Sequence, residues 1–79
     1  MPTLREVRAA RLMTVRSLAE RAGVAFSTVH LIETGRSAPR FAVIEKLSAA
    51  LGVEPAEVEE FAAAIAAVAE GKATAVAVG

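Results

Sequence analysis

The sequence predicts an all-α domain of five helices with a short apolar tail, and three observations carry that prediction. The chain has 79 residues, enough for one small domain. Its hydrophobic fraction of 54% includes 19 alanines, which add little apolar area but favour helix. Larger apolar residues recur at spacings of three and four between glycines and prolines, and no strand pattern appears before the tail.

Each element has its own start and stop. Thr3-Leu-Arg-Glu6 fits a capping box and opens the first helix, with Leu4 and Val7 on one face. Thr14 is the cap of a second helix, Val15 to Ala22, whose inner face is Leu18, Ala19 and Ala22 and whose stop is Gly23. A third helix runs from about Phe26 to Thr34 and ends at Gly35, with Ala25 where a capping hydroxyl is expected. Pro39 then breaks the chain. Helix four runs from about Phe41 to Leu51, with Phe41, Ile44, Leu47, Ser48 and Leu51 as one buried stripe, and Gly52 closes it. Pro55 fits the first turn of helix five, where its missing N–H costs nothing. Glu54, Glu57, Glu59 and Glu60 crowd that helix's positive end, and Val58, Phe61, Ile65 and Val68 line one face of it. Residues 1–70 form the domain. Residues 71–79 form the tail, read as a frayed end, with a strand paired to another chain or an apolar handle for a protease as the sharper options.

Composition excludes several function classes. There is no cysteine, and His30 is the lone histidine, so neither a disulfide nor a metal site is expected, and no cofactor or small-molecule motif is evident. There is no cysteine nucleophile, no acid pair in an apolar pocket, no His–carboxylate arrangement and no phosphate loop, and so short a chain has little room for a pocket, which argues against an enzyme. The longest apolar run, Phe61 to Ala69, is far short of the roughly 20 residues that span a bilayer. The N-terminus lacks the layout of a secretory signal. The expectation is a soluble cytoplasmic protein with no membrane partner.

Net charge is zero, but its distribution is lopsided. Residues 1–40 hold seven arginines against three glutamates, a charge of +4, whereas residues 41–79 hold two lysines against six glutamates, a charge of −4. A cancelled total conceals a basic end, and the local field is what a phosphate backbone feels.

The second and third helices, joined through Gly23 by a short turn, make a helix-turn-helix unit. Ala19 is small where the two helices cross, and Val24, Val29 and Ile32 anchor the third helix from beneath. The other side of that helix is left free, and the major groove of B-DNA, about 12 Å wide, admits a helix.

Leu4 to Arg8, "SLAERAGV", "STVHLIETGR" and "AALGV" resemble the Cro/C1-type helix-turn-helix family, also called the Xre or lambda-repressor-like family. The likeness covers about Thr3 to Val58. It implies a five-helix lambda-repressor-like fold and a transcriptional regulator, a repressor above all, that binds double-stranded DNA as a homodimer. By position, Phe26, Ser27 and Leu31 fall where the family meets base edges, and Thr28 and His30 flank them as backbone contacts. Arg36 and Arg40 lie in the loop that runs beside phosphates in the family. Arg16 lies in the first turn of helix two, whose N-terminus also attracts phosphate. Arg5, Arg11 and Arg21 are weaker candidates, read as solvated. Arg8 and Glu33 fall where the family pairs helix one with the end of helix three, and a guanidinium fork suits that task.

The sequence departs from the family's pattern at Val15, Phe26 and Leu31, where polar side chains are usual. Apolar groups read the thymine methyl, so Phe26 and Leu31 favour thymine-containing steps in the DNA-binding reading. In the alternative reading they anchor a protein partner, and the domain is an interaction module of the same fold. Phe61, Ile65 and Val68 are read as the dimer surface; the competing reading is that this stripe closes the monomer's own core.

Overall fold

Two threonines start the first two helices. The structure, a computed structural model, describes residues 1–71. Thr3 Oγ1 accepts the Glu6 amide at 3.2 Å, and Glu6 Oε1 accepts the Thr3 amide at 2.8 Å. These reciprocal bonds satisfy donors that a helix start otherwise leaves open, and they begin α1 (Leu4–Ala10). Thr14 does the same with Ser17 for α2 (Val15–Ala22), at 3.0 and 2.9 Å. Then come α3 (Phe26–Glu33), α4 (Phe41–Leu51), a single 3-10 turn at Pro55–Glu57, and α5 (Glu59–Ala69). Among the described residues there is no strand. The reading of a strand-like or frayed tail falls on residues 72–79, outside the described residues.

One core joins all five helices. Leu4 of α1, Leu18 of α2, Val29 of α3, Leu47 of α4 and Phe61 of α5 are each fully buried and belong to one apolar cluster. Three-four spacing turns these side chains to one side of each short helix, and burying them is the main force holding the bundle. Ile44, Leu47, Ser48 and Leu51 form the buried stripe of α4, but Phe41 at its head is half-buried.

Helix five departs from the sequence reading at its start. Pro55 does not open it. Val58, with φ −106° and ψ 129°, is extended and separates the 3-10 turn from the helix. That kink drives the Val58 side chain fully into the core. The start of α5 is then held by the opposite end of the chain. The Glu59 amide donates to the Pro2 carbonyl at 2.8 Å, and Glu60 Oε1 accepts the Leu4 amide at 2.7 Å. Glu60 thus caps α1 from 56 residues away.

Phe61 corrects a second expectation. As a wholly buried side chain it closes the monomer's core, alongside Val58 and Ala64, and is no part of an exposed dimer surface. Ile65 and Val68, one and two turns further on, remain partly exposed.

Candidate nucleic-acid interface

The turn between α2 and α3 begins at Gly23, which sits in the left-handed region with φ 71° and ψ 35°. The Val24 amide donates to the Ala19 carbonyl at 3.0 Å, which folds the chain back tightly. Ala19, 3% exposed, leaves room for the close approach, and a larger side chain there would push α3 away. Val29 and Ile32 fix α3 from below, and Val24 packs at the edge of the same core.

The rest of α3 faces outward. Phe26 is 46% exposed, and Ser27 and His30 are exposed beside it, while Thr28 and Leu31 are half-buried. Leu31 is further occupied through its backbone, whose carbonyl accepts the Arg36 amide at 2.9 Å. That bond places Arg36 at the end of α3. Arg40 precedes α4, across a cleft of about 210 Å³ whose lining includes Thr28, buried Pro39 and Arg40 itself. Thr28 and Arg40 therefore share one rim. Neither α3 nor α4 has a side-chain cap, so their first amides are open to an acidic ligand.

Arg16, in the first turn of α2, reaches across to α3. Its guanidinium carbon lies 5.3 Å from the centroid of the Phe26 ring. That ring is stacked in turn on the His30 imidazole, with centroids 6.2 Å apart and planes within 6°. In the sequence the three residues stand apart, on two helices. The one visible signal was the spacing of Phe26 and His30, four apart and so on one helix face.

Two arginines of the basic half are used in holding the fold. Arg8 Nε donates to Glu33 Oε2 at 2.7 Å and its Nη2 to Glu33 Oε1 at 3.1 Å, a bidentate pair, while Nη1 reaches the Met13 carbonyl at 2.8 Å. The Glu33 carboxylate holds the Arg8 guanidinium above its ordinary pKa. Arg11 Nε donates to the Leu51 carbonyl at 2.9 Å, at the negative end of α4, and is therefore not simply solvated. Among the described residues, Arg16, Arg36 and Arg40 are exposed and paired with no carboxylate. Their charge is available to a polyanion.

Among the described residues, no helix is long and apolar enough to cross a membrane, and no cluster of ligating side chains is placed to hold a metal ion. A family model described as a helix-turn-helix domain matches residues 3–61, from the capping threonine of α1 to the buried phenylalanine of α5. No curated protein and no solved structure matches the chain.

Proposed function

The chain belongs to the helix-turn-helix domain family, and from that premise we infer that it is a sequence-specific transcriptional regulator, a repressor of the Cro/C1 type, that lays α3 into the major groove of DNA. One observation carries this reading: the outward face of α3 is bordered by arginines that no carboxylate neutralises. In this reading Arg16, Arg36 and Arg40, with Thr28 and His30, grip the backbone. Such contacts supply affinity and register but no sequence preference. Ser27 and Leu31 meet base edges, and Phe26 stands beside them at the leading end of α3. The protein works by binding, without catalysis, in the cytoplasm.

A second copy completes the regulator. Ile65 and half-buried Phe41 line a shallow, mainly apolar groove with Ile44, Pro55 and Glu45, and Val68 lies one turn beyond Ile65. Pairing through this side of the molecule sets two recognition helices about 34 Å apart, one turn of duplex, and so calls for an inverted-repeat operator. Light scattering across a dilution series checks it; a mass that stays at 8.2 kDa removes the dimer.

The deciding experiment is duplex binding by fluorescence anisotropy over a salt series. Binding weakens steeply with salt if phosphates are gripped. Arg40→Ala lowers affinity for all duplexes alike and reduces the salt slope by about one. Ser27→Ala and Leu31→Ala change which base is preferred. If no duplex is bound at low salt, the alternative holds, in which Phe26 and Leu31 anchor a protein partner.

A further inference from the structure

Resting on the DNA-binding reading above, we propose that Phe26 is a positioning residue for Arg16: its ring holds the α2 guanidinium against the head of α3, and His30 braces the ring from one turn along. The duplex then meets a cation already in place.

The geometry carries this. Arg16 and Phe26 come from different helices, yet the guanidinium lies over the ring face at 5.3 Å, within the range of a cation–π contact. The ring is set parallel to His30 by the one-turn spacing on α3. None of the three is needed by the core, which takes Val29 and Ile32 from the same helix. A free arginine side chain explores many rotamers and must give them up on binding, and contact with a flat ring removes much of that loss beforehand. Arg16 has no carboxylate partner to hold it instead. The ring face turned to Arg16 is also covered by it, which leaves the exposed edge, and not that face, for any base. Phe26 therefore acts on the duplex through Arg16, and the reading of bases falls to Ser27 and Leu31.

Two measurements test this, the first without DNA. In the free protein, ring current moves the Arg16 side-chain protons upfield in the NMR spectrum, and Phe26→Leu abolishes the shift while the core resonances stay in place. Absence of the shift in the unaltered chain overturns the inference and leaves the DNA-binding reading standing. The second is a double-mutant cycle on duplex affinity. Phe26→Leu weakens binding about two- to fivefold, the range of an exposed cation–π contact, and Phe26→Tyr, which keeps the ring, retains it. Added to Arg16→Ala, Phe26→Leu has no further effect. Equal factors with and without Arg16→Ala show that Phe26 meets DNA by itself and overturn the inference. A chain that binds no duplex at any salt concentration overturns both readings.

Discussion

Arg8 and Glu33 stand 25 residues apart in sequence and 2.7 Å apart in space. Arg8 projects from α1, and Glu33 is the last residue of α3. Because the same guanidinium also holds the Met13 carbonyl, it ties α1, the approach to α2 and the end of α3 together. The side chains are only 13% and 8% exposed, so little water competes for their hydrogen bonds. This pair fixes the angle at which α3 leaves the core, and so the direction in which Ser27 and Leu31 point.

Arg8→Ala should therefore destabilise the fold by about 2 kcal/mol, because it leaves a nearly buried carboxylate without its partner. Urea denaturation followed by circular dichroism reads this as a lower midpoint with an unchanged slope. Replacing both residues, Arg8→Leu with Glu33→Leu, should cost less than the two single changes added together, since no charge is then stranded. Additive losses would mean that the two side chains do not act as a pair. Raising pH does not weaken the arginine end under ordinary conditions: its pKa is raised in the folded state, so its contribution is complete below the unfolded value, far above neutrality.

The capping box of α1 does depend on pH. The Thr3 backbone amide, and next the Thr3 side chain, hold the Glu6 carboxyl below its ordinary value of 4.5. A pKa lowered by folding means that the stabilisation is present above 4.5 and is lost as pH falls through the folded value. Glu6→Gln removes the charge from this balance. The difference in Tm between the parent and Glu6→Gln should be constant near neutrality and shrink as pH drops below 4.5. Other carboxylates titrate equally in both proteins and cancel. A difference that does not vary with pH would place Glu6 outside the cap in solution.

Signals in the sequence are legible where the physics is local. Thr3 with Glu6 and Thr14 before α2 marked helix starts, because a capping side chain lies within three residues of the amide it satisfies. The outward set of α3 followed from the inward set, Val29 and Ile32. What was not legible depends on distant chain segments. Periodicity put Phe61, Ile65 and Val68 on one face but could not say whether that face meets this chain or another; Phe61 went inside and the other two remained partly open. Glu60 looked like a charge suited to its own helix, yet its carboxylate caps α1. Pro55 marked a turn and not the helix, because burying Val58 needs an extended residue between them. The Arg16–Phe26–His30 stack joins two helices, so only the spacing within α3 hinted at it.

The end of α1 carried no glycine to mark it. There the Met13 amide donates to the Arg8 carbonyl at 3.2 Å and the Leu12 amide to the Ala9 carbonyl at 2.9 Å, the paired bonds that close a helix through a left-handed residue. That residue is Leu12, with φ 58° and 94% exposure. A side chain crowds its own carbonyl in this conformation, at a cost of about 1–2 kcal/mol. Glycine escapes the crowding but loses more freedom on folding. Leu12→Gly should therefore stabilise the domain by about 0.5–1 kcal/mol, read as a higher Tm. A lower Tm would show that the leucine side chain has a contact that its exposure conceals.

Ser48 is the remaining tension in the core. It lies on the buried stripe of α4 at 5% exposure, and its Oγ has no hydrogen-bond partner among the described residues. Its carbonyl is well used, accepting the Gly52 amide at 2.8 Å and the Val53 amide at 3.1 Å, so the backbone loses nothing if the hydroxyl goes. An unmade buried hydrogen bond costs about 1–3 kcal/mol. Alanine keeps the Cβ, fits the same space and is the better helix former. Ser48→Ala should raise stability by about 1 kcal/mol, seen as a higher urea midpoint with the slope unchanged. Because Ser48 faces the core, duplex affinity should not move. A fall in the midpoint on losing the hydroxyl would mean that it is bonded in solution and that α4 depends on that bond.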